Sequence, residues 1–236
     1  MARLDVRSVI QILVLFAVCV ASAAIGFASR SNNANVSIPT SSKPLVLRQL
    51  DEKVIERRKY SNEPFEFSDL SVKKIKVSPG QKLSARALAE SGGGKVEDWL
   101  ENLSFTIKNT TDKQITYINY ILEFTETGVG RPMMQYVLDK GLHPTAPEIW
   151  RKYIPPLALN PGDSFTFELS AEELQQIQKF LEQGSFQLAN LNKVNIHIDT
   201  VIFADGMKWS QGDLYKPAPG EQPAPGKPGK YERVIQ

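Results

Sequence analysis

The sequence is poor in the residues that carry most enzyme and metal chemistry. It has one cysteine, Cys19, and two histidines that stand far apart, His143 and His197. A single cysteine forms no disulfide within the chain, and two isolated histidines do not supply the ligand spacing of a zinc site. We therefore predict no metal, no cofactor and no catalytic residues, although a Ser–His–Asp site built from distant positions stays open.

A lack of excess charge excludes a further class of partner. The chain has 28 Lys and Arg against 26 Asp and Glu, a formal net charge of +2. Its basic clusters are short, at residues 57–59 and 73–76. Proteins that bind nucleic acids present a strongly basic surface, so no nucleic acid partner is predicted.

A long apolar run is present near the N-terminus. Arg3 and Arg7 precede an uncharged stretch at residues 8–29. A basic segment followed by about 20 apolar residues is typical of a signal peptide or a membrane-spanning helix. We predict that residues 1–29 are one or the other, and a retained anchor is favoured because apolar residues continue past the candidate cleavage site. The remainder is then periplasmic or on the cell surface, or secreted if the signal is cleaved.

Composition divides the rest of the chain. Residues 30–44 are rich in Ser and Asn and predict a flexible linker, and residues 45–64 predict a connecting segment that forms a short strand or an amphipathic helix. Residues 65–215 predict the folded domain. Residues 216–236 begin with "KPAPGEQPAPGKPGK", and this composition predicts a disordered tail with polyproline II character.

Alternating apolar and polar residues predict strands along the domain. The segments "NLSFTIKN" and "QITYINYILEF" flank the turn sequence "TTDK", so we predict that they pair as an antiparallel hairpin. Further strands are predicted in "MMQYVLD", "DSFTFEL" and "KVNIHIDTVIF". In the last of these, one set of side chains is expected on the buried face and the other on a solvated face: Val194, Ile196, Ile198 and Ile202 against Asn195, His197 and Asp199.

One helix is predicted among the strands. Ser170 with Glu173 three residues later forms a capping box, and Gly184 marks the end of the apolar stripe. Short strands, frequent turns and one inserted helix, at about residues 170–184, predict a mainly β fold, an antiparallel β-sandwich of the immunoglobulin-like kind. A small α+β domain is the alternative.

Three stretches carry a resemblance to a known group of proteins: "NLSFTIKNTTDKQITYINYILEF", "PPLALNPGDSFTF" and "FADGMKWSQGDLY". With the export signal, they resemble uncharacterised exported bacterial proteins that contain an immunoglobulin-like β-sandwich. The resemblance covers roughly residues 65–215 and implies this fold and export. It brings no activity and no catalytic residues.

Four aromatic residues are candidates for contact with a ligand or partner. Trp150 and Tyr153 lie in the long irregular segment 141–163, while Trp209 and Tyr215 follow the "ADG" turn and serve either as a packed lid or as an exposed face. We predict a non-enzymatic module that is tethered to the membrane through residues 8–29 and binds a protein partner. The alternatives are carbohydrate or cell-wall binding through exposed aromatics, and a hydrolase with an unrecognised site.

Overall fold

The computed structural model describes residues 52–91, 98–130, 132–220, 224–226 and 229–234. The predicted anchor and linker lie outside these residues, and no helix within them is long and apolar enough to cross a membrane. The helices are α1 (Ala85–Glu90) and α2 (Ala171–Gln183). The strands are β1 (Glu52–Arg57), β2 (Phe65–Val72), β3 (Ile75–Lys76), β4 (Lys82–Ser84), β5 (Ser104–Asn109), β6 (Ile115–Phe124), β7 (Met134–Lys140), β8 (Ser164–Glu168), β9 (Lys193–Phe203), β10 (Lys208–Ser210), β11 (Asp213–Pro217) and β12 (Tyr231–Arg233).

The larger sheet has eight strands in the described part of the chain, and the long strand β9 lies at its centre. On one edge of β9, β6 pairs along nearly the whole strand, and β7 extends the sheet beyond β6. On the other edge, the first half of β9 pairs in parallel with β1 and the second half pairs antiparallel with β10. The sheet continues from β1 to β4 and from β10 to β11 and β12.

The smaller sheet is antiparallel and has the strand order β3-β2-β5-β8. It shares one hydrophobic core with the larger sheet. Tyr120 of β6 contacts both Phe105 of β5 and Phe167 of β8, with ring centroids 5.6 Å and 4.6 Å away. The mainly β prediction is confirmed, but pairing is not wholly antiparallel because β1 runs parallel to β9.

The predicted hairpin between β5 and β6 is wrong. β5 pairs with β2 and β8 in the smaller sheet, whereas β6 pairs with β7 and β9 in the larger one. The turn at residues 110–113 therefore carries the chain from one sheet to the other. A turn sequence between two strands shows that the chain changes direction, but it does not show which strands become neighbours.

Asn109 holds this turn in place, and its side chain is completely buried. Its Nδ2 donates to the carbonyl oxygens of Lys113 (2.7 Å) and Leu159 (2.9 Å). Its Oδ1 accepts from the backbone N (3.0 Å) and the Oγ1 (2.8 Å) of Thr111. These four bonds use both donors and both acceptor sites of the amide.

A bulge changes the predicted faces of β9. The register with β6 shifts near Asn119, so that Ile198 lies opposite Tyr120 while Thr200 lies opposite Asn119. Beyond the shift, Ile202 lies opposite Tyr117. Ile202 therefore does not share a face with the residues before the bulge as predicted, because the extra residue reverses the alternation.

The predicted helix is confirmed as α2. The Ser170 Oγ accepts from the backbone N of Glu173, and the Glu173 carboxylate accepts from the backbone N of Ser170, which completes the capping box. The structure adds a six-residue helix, α1, that was not predicted; its N-cap is Ser84. Both helices begin at a serine whose hydroxyl satisfies a free backbone N–H group.

Two segments outside the predicted domain belong to the larger sheet. β1 lies in the predicted connecting segment, and its Ile55 is buried in the core. β12 lies in the predicted disordered tail, and this part of that prediction is wrong. Tyr231–Arg233 pair with β11, and the backbone N of Ala218 donates to the carbonyl of Lys230 (2.9 Å). Strand pairing thus orders the residues that follow the prolines.

Candidate functional site

The four candidate aromatic residues occupy three different environments. Trp209 of β10 is 2% exposed. The rings of Tyr60 and Phe65 lie edge-on to it, with centroids 5.9 Å and 5.6 Å away. Its indole therefore offers no free face on the surface, and the 203–215 segment forms a hairpin whose tryptophan is packed inside.

Tyr215 is half-buried and takes part in an internal contact. The Lys208 Nζ lies 4.9 Å from the centroid of the Tyr215 ring and 4.8 Å from that of Tyr231. A cation between two aromatic faces links β10, β11 and β12. The Tyr215 ring thus has a contact inside the fold that accounts for its position.

Trp150 and Tyr153 lie at the surface on a short 3-10 turn, Glu148–Lys152. Tyr153 is 48% exposed, Trp150 is half-buried, and the neighbouring Ile149 is 62% exposed. Backbone bonds fix the turn: the N of Trp150 donates to Pro147 O and the N of Tyr153 donates to Trp150 O, each at 2.9 Å. Ile149 was not predicted from the sequence, where its position between Glu148 and Trp150 in the irregular segment was the available signal.

A cavity of about 350 Å³ opens beside Trp209. Its apolar walls come from the β9–β11 region, and its polar walls come from the loop before β2 and from the turn between β5 and β6. The lining residues include Glu63, Pro64, Thr110, Asp112, Lys113, Phe203, Met207, Trp209 and Leu214. The sequence did not predict this cavity, because its walls come from three segments that are distant along the chain.

A row of polar side chains crosses the larger sheet with Glu123 at its centre. Glu123 lies opposite Gln135 of β7 and Asn195 of β9, and it is 1% exposed. Its carboxylate accepts from Gln135 Nε2 (3.0 Å) and Asn195 Nδ2 (3.1 Å), and the Arg58 Nη2 lies 3.7 Å away. The carboxylate is therefore compensated, but the Oδ1 of Asn195 is buried and has no hydrogen-bond partner among the described residues.

His197 lies next to this row and is 3% exposed. The prediction that it faces solvent is therefore wrong, because Tyr60 covers it edge-on at 6.0 Å. Burial lowers the pKa of the imidazole below its ordinary 6.5. The Asp199 carboxylate instead accepts from Gln211 Nε2 (2.7 Å) and Thr200 Oγ1 (2.9 Å).

Lys53 is another buried polar residue that the sequence did not reveal. Its Nζ donates to Ala189 O (2.7 Å), Leu191 O (2.9 Å) and Asn192 Oδ1 (3.1 Å). These acceptors use all three N–H groups of the Lys53 ammonium, so the side chain links β1 to the segment before β9.

The described residues contain no group of three or more His, Cys, Asp or Glu side chains arranged to hold a metal ion. Glu123 and His197 are titratable residues of the larger sheet, and both are buried. Comparison with known proteins gives no further assignment: no family model, no curated protein and no solved structure matches this chain.

Proposed function

We propose that this chain is a non-enzymatic, immunoglobulin-like β-sandwich module that binds a protein partner outside the cytoplasm. In this proposal residues 8–29 tether or export it. The shared core of the two sheets and the apolar N-terminal run support the proposal. The contact surface is the turn that carries Ile149, Trp150 and Tyr153.

The exposure of this turn carries the proposal. Ile149 and Tyr153 are two of the four large hydrophobic side chains that are markedly exposed in the described residues. They lie four positions apart, Ile149 within a hydrogen-bonded turn and Tyr153 at its C-cap, so their backbone needs little further ordering when the surface binds. A Tyr and a Trp beside an exposed aliphatic residue are typical of the centre of a protein interface.

The carbohydrate alternative has less support. Sugar-binding platforms present flat aromatic faces, but Trp209 is buried and Tyr215 stacks with Lys208. Trp150 and Tyr153 remain, and the most exposed side chain beside them is Ile149, which has no aromatic face. An aliphatic contact favours a protein surface over a sugar ring.

Site-specific photocrosslinking in the source cells tests the proposal. A photoreactive phenylalanine analogue at position 149 or 153 is expected to yield a discrete crosslinked protein. Position 129 is the matched control, since Val129 is 87% exposed and lies outside the turn. The crosslink is expected to disappear from position 149 when Tyr153→Glu is also present.

Equal bands at positions 129, 149 and 153 would contradict a specific surface. The carbohydrate alternative predicts a different result: binding to a glycan or cell-wall fragment that is lost with Tyr153→Ala and kept with Ile149→Ala.

A further inference from the structure

Strand β8 forms one edge of the smaller sheet, and among the described residues it pairs only with β5. Edge strands are commonly protected against further pairing by a proline, a bulge or inward-pointing charges. β8 has the sequence "SFTFE", which contains no proline, and its register with β5 contains no bulge. Its inward-pointing residues are the aromatic Phe165 and Phe167, and its one charge, on Glu168, stands at the end of the strand. This edge is therefore open to another strand.

The bonds at the two ends of the β5–β8 register show which backbone groups of β8 point outward. Beyond one end, the N of Asn109 donates to Asp163 O at 2.9 Å, and beyond the other the N of Leu169 donates to Leu103 O at 2.8 Å. In an antiparallel pair, hydrogen-bonded residues alternate with residues whose backbone groups point away from the partner. The odd-numbered residues of β8 therefore bond to β5, and the even-numbered residues direct their N–H and C=O groups outward. No backbone bond from the described residues reaches these outward groups.

We propose that a second copy of this chain pairs with this edge, β8 against β8, in antiparallel orientation around a twofold axis at Thr166. In this register, Thr166 lies opposite Thr166 of the second copy, and Ser164 lies opposite the second copy's Glu168. All three residues are even-numbered and exposed, so the outward N–H and C=O groups of both edges are used. Any other antiparallel register of the two strands leaves some of these groups outside the strand pair. The result is one continuous sheet across the dimer.

The inner face of the strand supports this register. It places Phe165 opposite the second copy's Phe167, and the twofold axis repeats this aromatic pair. In one copy Phe167 is completely buried, whereas Phe165 at the open edge is only partly buried. Cross-strand aromatic pairs stabilise a sheet, and side chains are closest at pairs that are not hydrogen-bonded. Pairing therefore covers the part of Phe165 that one copy leaves open.

The outer face is complementary in charge. Glu66 of β2 lies beside Lys108 of β5, which in turn lies beside Ser164. The proposed register adds the second copy's Glu168 on the far side of Ser164, so the negative and positive charges alternate across the joined sheet. The small serine lets the Lys108 ammonium approach that carboxylate. This match is a property of two identical edges, and it favours a second copy over an unrelated strand.

The inference does not rest on the proposed partner surface, because β8 and the turn at Ile149 share no residue. Photocrosslinking at the turn and cysteine crosslinking at β8 thus succeed or fail separately.

Cysteine crosslinking of the full chain tests the register. Cys19→Ser removes the native cysteine. Thr166→Cys is then expected to give a disulfide-linked dimer, because residues opposite each other in a hydrogen-bonded antiparallel pair have Cα atoms about 5.5 Å apart, within disulfide reach. Ser164→Cys alone and Glu168→Cys alone are expected to give none, because each is about 13 Å from its counterpart along the strands. Co-expression of the Ser164→Cys chain with the Glu168→Cys chain is expected to give the dimer again.

This pattern separates the register from random collision. Equal crosslinking of all three single variants would overturn the proposal. No dimer with Thr166→Cys, or a crosslink from this position to a different protein instead of a second copy, would overturn it as well.

Opposite charges at the twofold axis provide a second test. Thr166→Lys in both chains places two like charges directly opposite each other, and it is expected to lower the crosslinking yield of the Ser164→Cys and Glu168→Cys pair about twofold to fivefold. Thr166→Lys in one chain with Thr166→Glu in the other is expected to restore the yield. Ser78→Lys is the matched control, because Ser78 is exposed and follows β3 at the opposite edge of the smaller sheet. A loss of yield that the mixed charges do not reverse would show that the register is wrong.

Discussion

Replacing Asn109 with Ala is expected to be one of the most destabilising single changes at a polar position of this chain. The substitution removes four side-chain hydrogen bonds at once, two donated to Lys113 O and Leu159 O and two accepted from Thr111. Since the site is fully buried, no water is available to replace them without entering the core.

The other hydrogen bonds of the two carbonyl groups determine how much stability Asn109→Ala removes. The carbonyl of Leu159 also accepts from the backbone N of Ile115 (2.9 Å), and the Thr111 hydroxyl, 3.1 Å from the carbonyl of Lys113, can donate its one proton there once Asn109 Oδ1 is gone. Neither carbonyl is left without a partner, so each lost bond costs about 0.5–1.5 kcal/mol rather than the larger penalty for an orphaned group. Four such bonds give a loss of about 2–6 kcal/mol in the free energy of unfolding, a large share of the stability of a typical domain.

Urea unfolding followed by tryptophan fluorescence measures this loss. Asn160→Ala is the matched control: Asn160 is exposed, its Nδ2 donates to Asp163 Oδ2 at 3.0 Å, and its Oδ1 accepts from Gln114 Nε2 at 2.8 Å. Because both bonds are exposed to water, together they are expected to contribute less than about 1 kcal/mol. If the two variants unfold at the same urea concentration with equal slopes, the amide of Asn109 does not hold the turn and the reasoning is wrong.

Three further predictions concern glycine, histidine and tryptophan. Gly141→Ala should lower the free energy of unfolding by about 3 kcal/mol or more, because φ is +81° and an added Cβ would overlap a neighbouring carbonyl. Gly162→Ala is the control: φ is +83° but the space around it is open, so the loss in thermal unfolding should be about 1 kcal/mol. Because burial lowers the pKa of His197, the unfolded chain binds a proton before the folded chain does as the pH falls below 6.5, and the free energy of unfolding decreases there. His197→Phe should make this decrease smaller, measured as the urea midpoint at each pH. Trp209→Ala should cost about 3–5 kcal/mol in the same assay, and Trp150→Ala, at a half-buried site, much less.

Local signals predicted the local structure well. The capping box at Ser170 and the stop at Gly184 gave the bounds of α2, since these interactions join residues three or four apart. The period-two pattern located β5, β6, β8 and β9. Both kinds of signal depend on neighbours in sequence, so they need no knowledge of the tertiary fold.

Non-local pairing was not accessible in the same way. The parallel pairing of β1 with β9 joins segments more than a hundred residues apart, and the pattern of β1 does not specify its neighbour. The burial of Trp209 could not be predicted either. The strand pattern places it on one face, but Tyr60 and Phe65, which cover it, come from a distant loop and a distant strand.

The turn after β5 links the stability of the fold to the cavity. Thr110, Asp112 and Lys113 form part of the cavity wall, and Asn109 fixes the backbone of that turn. The loss of the Asn109 amide is therefore expected to loosen this wall of the cavity at the same time as it destabilises the fold, because both depend on the same backbone turn.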